Sequence, residues 1–140
     1  MNIELNLKQD IAAGFKHCFD YSIEAETISL QPTRKDFDGH YTLVMFQFAR
    51  YTRKSPEESA EILGAFLKDS SHTIEAYNVV KGFLNLTVSH KTWKEFFQKT
   101  YPRDDFGQLP ANAHHLVIEY SSPNTNKPLH LGHLRNNFLG

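Results

Sequence analysis

The sequence predicts an α+β fold, a small antiparallel sheet with flanking helices, followed by the first strand and helix of a second domain. Apolar residues recur at helical spacing on either side of two strand-like segments, and these segments flank a Lys81-Gly82 turn. The chain has 140 residues, of which 40% are hydrophobic and 22% charged. A chain of this length and composition buries a core and is too apolar to be disordered.

The chain begins with a predicted helix, a short strand and a loop. Residues 27–30 predict the strand, and residues 31–39 predict the loop because they include a proline, two aspartates and a glycine. Spacings of four, four, four and three predict the helix, with an apolar face of Ile3, Leu7, Ile11, Phe15 and Cys18.

Residues 41–51 are almost wholly apolar and fit either a buried strand or a buried helix. We favour a helix of about three turns, because another helix start follows closely. In that next helix, Ser55 is the expected N-cap, Pro56 occupies the first helical position and Glu58 completes a capping box. Its apolar face consists of Ile62, Leu63, Phe66 and Leu67.

Two strands and a helix complete the first domain. Residues 74–80 and 83–89 predict strands, and Lys81-Gly82 predicts the two-residue turn of a hairpin, with Gly82 at positive φ. Ser89 is the expected cap of a helix over residues 90–100. That helix is expected to bury Trp93, Phe96 and Phe97.

A domain boundary is predicted near residue 110. Residues 101–113 contain two prolines, a glycine and two adjacent acids without periodicity, which is typical of an inter-domain connection. Residues 114–121 then predict an apolar strand, followed by a polar loop and a helix start. A parallel strand needs further strands beside it, so we expect domains over residues 1–110 and 111–140, the second of them truncated.

Composition excludes several classes of protein. No apolar run approaches the roughly 20 residues of a membrane span, and the N-terminus lacks a signal-peptide pattern, so we expect a cytoplasmic protein without membrane contact. The single cysteine excludes an internal disulfide framework and a Cys-rich zinc site. The net charge is -1, but residues 76–140 hold 7 Lys and Arg against 4 Asp and Glu, which permits a phosphate-bearing ligand.

The polar residues around the last predicted helix start form the main candidate site. A helix start offers unpaired N–H groups and partial positive charge, which suit a phosphate. His130 and His133 project to the same side and can donate hydrogen bonds to a phosphoryl oxygen, and Gly132 lets a base or ribose approach. The group comprises Ser121, Ser122, Asn124, Lys127, His130, Gly132 and His133.

The string VIEYSSPNTNKPLHLGHLRNNFLG, which contains this group, resembles the first catalytic motif of class I aminoacyl-tRNA synthetases, and specifically of the arginyl-tRNA synthetases. HLGH matches the HxGH motif of that class. Upstream, FDGHYT resembles the family's FGDY-type loop and VVKGFLNL its GPGFIN-type strand. The resemblance implies that residues 1–110 are the family's N-terminal additional domain and that residues 111–140 begin its Rossmann-type catalytic domain.

The resemblance also implies roles for single residues. His130, His133, Lys127 and Gly132 would bind ATP, with the two histidines at its α-phosphate. Arginine would be held by Glu119, Ser122, Asn124 and His133. Phe83 and Asn85 would contact the D-loop corner of tRNA(Arg), with Phe83 as a stacking ring and Asn85 as an amide, in keeping with the way that unpaired RNA bases are read.

The activity implied is arginine–tRNA ligation, in which arginine is adenylated by ATP and then transferred to tRNA(Arg). Mg²⁺ would accompany ATP, no protein-bound metal is predicted, the enzyme would be a monomer, and this fragment alone would be inactive. Two other hypotheses stay open, a stand-alone RNA-binding or protein-interaction module and an HxGH nucleotidyltransferase. A strand-end role for Glu119 and a core position for Phe83 also stay open.

Overall fold

The computed structural model describes residues 2–108, 110, 115, 117–120, 123 and 126–140. The chain divides into two compact units, Met1–Phe106 and Gly107–Gly140, and each is described by itself. The helices are α1 (Ile3–Phe19), α2 (Ala49–Thr52), α3 (Pro56–Ser70), α4 (His90–Thr100) and α5 (Leu131–Leu139). The strands are β1 (Leu30–Pro32), β2 (Tyr41–Val44), β3 (Ile74–Val80) and β4 (Phe83–Val88). Two short 3₁₀ helices cover Ala25–Thr27 and Met45–Phe48.

The four strands form one antiparallel sheet in the order β1-β2-β4-β3. The predicted hairpin of β3 and β4 is confirmed, with Val80 paired to Phe83 across the turn. Lys81 and Gly82 have φ of 48° and 77°, and two positive φ values are the signature of a type I′ turn, whose twist matches that of the flanking strands. One face of the sheet packs against α3, which in turn packs against α1.

The core lies between this sheet face and the helices. Leu43 of β2 and Leu84 and Leu86 of β4 are fully buried beneath the helices. The predicted apolar face of α1 is confirmed for Ile3, Leu7, Ile11 and Phe15, whereas Cys18 is half-buried. The Phe15 ring contacts that of Phe48 at 4.6 Å between centroids, which links α1 to the segment after β2.

The start of α3 is largely as predicted. Ser55 Oγ accepts a hydrogen bond from the Glu58 N–H at 3.1 Å, and Pro56 is the first helical residue. The capping box is wrong, because the Glu58 carboxylate instead accepts from Lys54 Nζ at 2.5 Å. An ammonium four residues away offers this carboxylate a charge-assisted partner in place of a backbone N–H.

The helix predicted over residues 41–51 is wrong in its first part. Tyr41–Val44 is a strand, and only the residues after it turn into the 3₁₀ helix and α2. The backbone of β2 pairs with β1 on one side and with β4 on the other. This pairing with distant segments decides between the two conformations that the apolar composition allows.

The first strand is displaced from its predicted position. Ala25–Thr27 is a 3₁₀ helix, and the strand begins at Leu30 and continues into the predicted loop as far as Pro32. Proline is tolerated there because β1 is an edge strand, where a missing N–H removes no hydrogen bond from a neighbour.

The helix α4 has the predicted bounds, and Ser89 Oγ accepts from the Thr92 N–H at its start. The predicted burial of its aromatic residues is wrong for two of three. Phe96 packs against the core, but Trp93 is exposed and Phe97 is 59% exposed. The helix meets the core along the edge that carries Thr92 and Phe96, and Phe97 lies about 100° further round it.

In the second unit, α5 confirms the predicted helix. The strand predicted over residues 114–121 is absent from the described part of that segment, His115 and residues 117–120. A strand is stabilised by a neighbour that pairs with it, and the described residues supply none here. None of the helices in the described ranges is long and apolar enough to cross a membrane.

Candidate functional site

Two imidazoles meet at the start of α5. His130 is the N-cap, and its Nδ1 accepts from the Gly132 N–H at 3.1 Å. His133 Nδ1 accepts from the His130 backbone N–H at 3.1 Å, and the ring centroids are 4.1 Å apart. Because each Nδ1 acts as an acceptor, each neutral ring carries its proton on Nε2. The helix start therefore holds two adjacent rings, each with an N–H left to offer an anion.

Gly132 has a local structural role at this helix start. A Cβ at this position would lie 2.9 Å from His130 Cε1 and 3.0 Å from His130 Nδ1. Glycine therefore leaves room for the capping ring, and any side chain here would press on it. The approach of a base or ribose to Gly132 stays a prediction. Lys127 is exposed, three residues before His130, so its ammonium is free to move toward a bound anion.

The predicted arginine-binding residues are only partly described. Ser121, Ser122 and Asn124 lie outside the described residues. Glu119 is exposed and lines a cleft with Tyr120 and with Asn136 of α5. Asn136 lies three residues after His133 along the helix. Within the described ranges, no group of three or more His, Cys, Asp and Glu side chains is placed to hold a metal ion.

The first unit contains a groove of about 260 Å³ that includes both predicted tRNA-binding residues. It lies on the sheet face opposite the helices, because Phe83 and Asn85 alternate along β4 with the buried Leu84 and Leu86. Loop residues before β2 and the turn after β3 complete its wall. The groove is lined by Gln31, Pro32, Arg34, Phe37, Thr42, Val80, Lys81, Phe83 and Asn85.

Phe83 and Asn85 differ in how they are held. The Phe83 ring is 37% exposed and meets Phe46 edge-on at 5.7 Å, so it lies outside the helix-covered core. Asn85 is 3% exposed, accepts from Thr42 Oγ1 through Oδ1 at 2.6 Å, and donates through Nδ2 to Asn78 Oδ1 at 2.8 Å. The groove thus presents a partly open aromatic ring beside a fixed amide.

Comparison with known proteins identifies the family of this chain. Residues 5–88 match the family model described as the arginyl tRNA synthetase N terminal domain. The chain belongs to the arginyl-tRNA synthetase family. Residues 103–140 match a second model, the catalytic domain of class I (R) tRNA synthetases, as expected for the start of a Rossmann-type catalytic domain. The predicted family and the predicted α+β fold are confirmed.

Similar members of the family are much longer. The chain is 49% identical to the arginine–tRNA ligase of Amoebophilus asiaticus over 140 residues, which is all of this chain and 24% of that protein. It is 46% identical to the arginine–tRNA ligase of Bacteroides fragilis, again over all of this chain and 24% of the relative. The solved structure of the Thermus thermophilus arginyl-tRNA synthetase matches with 26% identity and a TM-score of 0.54, over 93% of this chain and 20% of that one.

The sequence reading of this synthetase-family chain missed several groove residues. Phe37 and Arg34 belong to the loop between β1 and β2, and Lys81 belongs to the hairpin turn. FDGHYT contains Phe37, but the resemblance of this string to a family loop implies no role for that ring. The predicted helix over residues 41–51 includes Thr42, and a helix would not place this side chain beside Asn85 on a sheet face.

Proposed function

We propose that this chain supplies the tRNA-contacting domain and the first catalytic motif of an arginine–tRNA ligase. The observation that supports the proposal is the pair of imidazoles at the start of α5, in a chain that belongs to the arginyl-tRNA synthetase family. The chain spans about a quarter of the length of its curated relatives, so catalysis is expected of the full-length protein. These 140 residues alone should be inactive, and we expect the full-length enzyme to be a cytoplasmic monomer.

In the proposed reaction, the carboxylate of arginine attacks the α-phosphorus of ATP and pyrophosphate leaves. Negative charge grows on the α-phosphoryl oxygens in the transition state, and the Nε2–H groups of His130 and His133 donate hydrogen bonds to them. Lys127 would attract the phosphates, and Gly132 would leave space for the nucleotide. Mg²⁺ would arrive with ATP and offset part of its charge.

Arginine itself would be held beside this motif. His133, Ser122 and Asn124 would hydrogen-bond its α-amino and carboxylate ends, with Glu119 as the nearby anion for the ammonium group. This arrangement would aim the arginine carboxylate at the α-phosphate. The second half-reaction would transfer arginine to the terminal ribose of tRNA(Arg).

The groove in the first unit would take an unpaired base of the tRNA. RNA loops are recognised by stacking of splayed bases on aromatic rings and by side-chain hydrogen bonds to their edges. Phe83 offers the ring, Asn85 the amide, and Arg34 and Lys81 on the groove wall offer positive charge for the flanking phosphates.

ATP–pyrophosphate exchange on the full-length protein tests the proposed reaction, with each amino acid offered together with total tRNA. Arginine should support exchange, and lysine and glutamine should not. His133→Ala should lower the exchange rate by about 100-fold or more, because it removes a donor to the developing charge. His72→Ala, the same substitution at an exposed position of the first unit outside the groove, is the control and should leave the rate unchanged.

Two results would contradict the proposed reaction. Exchange with lysine or glutamine but not arginine would refute the substrate, and an unchanged rate in His133→Ala would remove this histidine from the mechanism. Exchange with no amino acid, together with retained tRNA binding, would instead favour the RNA-binding module.

The affinity of the chain for a tRNA(Arg) transcript tests the groove. Phe83→Ala and Asn85→Ala should each weaken binding by about fivefold or more, since stacking of one base contributes about 1–3 kcal/mol. Phe97→Ala, which removes an exposed ring outside the groove, is the control and should bind like the unmodified chain. A loss below about twofold for both groove variants would exclude this role, given the size of a lost stacking contact.

A further inference from the structure

A row of polar side chains crosses the groove face of the sheet. Gln31 of β1 pairs with Thr42 of β2, Thr42 with Asn85 of β4, and Asn85 with Asn78 of β3. Directly paired residues share a face, so all four side chains lie on the face opposite the helices. Gln31, Thr42 and Asn85 line the groove. Asn78 is not a lining residue, but its side chain is hydrogen-bonded to that of Asn85.

The amide of Asn85 could be held in either of two orientations by Thr42 alone. A threonine hydroxyl donates or accepts with equal ease, so Thr42 would bond to the oxygen or to the nitrogen of the amide. Rotating the amide by half a turn would exchange donor and acceptor in the groove. A partner with a fixed hydrogen-bonding character is needed to choose between the two.

Asn78 provides that fixed character. Its Nδ2 donates to the backbone carbonyl of Asp38 at 2.6 Å, and a carbonyl oxygen only accepts. Asn78 therefore turns its Oδ1 toward Asn85. Asn85 donates a hydrogen bond to this oxygen through Nδ2, at 2.8 Å. The oxygen of Asn85 is then left for the Thr42 hydroxyl, as observed at 2.6 Å.

The carbonyl at the end of this chain of hydrogen bonds is itself held in place. His40, two residues after Asp38, donates its backbone N–H to the Leu86 carbonyl at 2.8 Å. Gly39 lies so close to the sheet that a Cβ there would be 3.1 Å from Asn85 Cβ. Its φ of 134° also disfavours a side chain, so the loop approaches Asn85 through a residue that only glycine suits.

We infer that Asn78 is a positioning residue that fixes which side of the groove offers a donor and which offers an acceptor to an RNA base. The inference rests on the proposed function of the groove. Asn85 keeps one N–H and one lone pair beyond its two bonds, in a fixed order. A base edge with the complementary order is bound, and an edge with the reverse order leaves both groups unpaired.

The test measures base discrimination by the 140-residue chain. The probes are fluorescent tRNA(Arg) transcripts in which each unpaired D-loop base is replaced by the other three in turn. The unmodified chain should prefer one base at one position by about tenfold or more, the discrimination expected of a bidentate amide contact. Asn78→Ala should reduce this ratio to below about threefold, because the amide then turns freely between the two orders.

Two further substitutions separate orientation from simple loss of structure. Asn78→Asp keeps an acceptor facing Asn85 Nδ2 and should retain the preference, even where overall affinity falls. Asn78→Lys offers only donors, should turn the amide over, and should abolish or reverse the preference. If Asn78→Ala unfolds at the temperature of the binding assay, the base preferences of Asn78→Asp and Asn78→Lys test the inference. Thr87→Ala, on the same face of β4 but outside the groove lining, is the matched control.

The possible results distinguish a failure of the role of Asn78 from a failure of the proposed base binding in the groove. Unchanged discrimination in Asn78→Ala and Asn78→Lys, or no base preference in the unmodified chain, would overturn the role of Asn78 while leaving groove binding intact. Unchanged tRNA affinity in both Phe83→Ala and Asn85→Ala would instead refute the groove as a binding site.

Discussion

The two candidate sites of this chain are held by different kinds of contact. In the unit Met1–Phe106, the amide of Asn85 is fixed by Thr42 and Asn78, which lie 43 and 7 residues away in the sequence. In the unit Gly107–Gly140, the rings of His130 and His133 are fixed within a single helix turn. The first arrangement depends on the register of three strands, whereas the second needs only a helix start.

The two units also differ in how far their apolar side chains are buried. Leu7, Ile11 and Phe15 of the first unit are fully buried, whereas Val117 and Phe138 of the second are 98% and 89% exposed. Within the 140-residue chain, the described residues of the second unit bury no apolar side chain, and the start of α5 is held by local hydrogen bonds. A substitution in the core of the first unit should therefore lower the stability of that whole unit. A substitution near α5 should change the structure only locally.

The largest difference is expected between two phenylalanines. Phe15→Ala should lower the free energy of unfolding by about 3–5 kcal/mol, because it leaves a cavity beside Phe48 and Phe19. Phe138→Ala, the matched change in the second unit, should alter it by less than about 0.5 kcal/mol. Denaturant titration followed by circular dichroism measures both, and equal losses would show that the contrast between the units is wrong.

A smaller difference is expected between the two N-caps. Ser55→Ala should lower the free energy of unfolding by about 1 kcal/mol, since α3 loses a cap and is packed into the core. His130→Ala should leave that free energy unchanged and should only speed hydrogen exchange at the Gly132 amide, which loses its acceptor. A fall in global stability for His130→Ala, as large as that for Ser55→Ala, would contradict this expectation.

The smallest effect is expected in the way that the stability of the fold declines as pH rises into the alkaline range. Partial burial of the phenol, and then the charge of Glu61, raise the pKa of Tyr77. A raised pKa in the folded state means that stability is complete below the pKa of the unfolded chain, about 10, and is lost as pH rises through the folded value.

Tyr77→Phe should therefore show a shallower decline in melting temperature than the unmodified chain above about pH 10. Tyr120→Phe in the second unit, outside the core, is the control, and its curve should follow that of the unmodified chain. Parallel declines for Tyr77→Phe and the unmodified chain would remove Tyr77 from the alkaline transition.

Local signals in the sequence predicted those parts of the fold that depend on neighbouring residues. Ser55-Pro56 marked the start of α3, and Lys81-Gly82 marked the turn between β3 and β4. The sequence predicts a helix for residues 41–44, but they form a strand because they pair with β1 and β4. An apolar run carries no period that could reveal this pairing.

The same division holds for the candidate sites. The spacing of His130 and His133 predicted that the two side chains project to the same side of the helix start, and in the structure their ring centroids are 4.1 Å apart. The alternation along β4 put Phe83 and Asn85 on one face, but it could not reveal that Asn78 orients Asn85 or that Phe37 completes the groove wall. Those relations depend on strand register and on the path of a loop.

The sequence alone thus determined helices α1, α3, α4 and α5, the hairpin, the family and the pairing of two imidazoles, since each depends on residues within a few positions of one another or on a contiguous motif. Only the tertiary structure decided that β2 is a strand, that Phe97 faces solvent and that the Asn85 amide is held in one orientation. These features follow from hydrogen bonds and packing between segments distant along the chain, whose free energy outweighs the weak preferences of each segment alone.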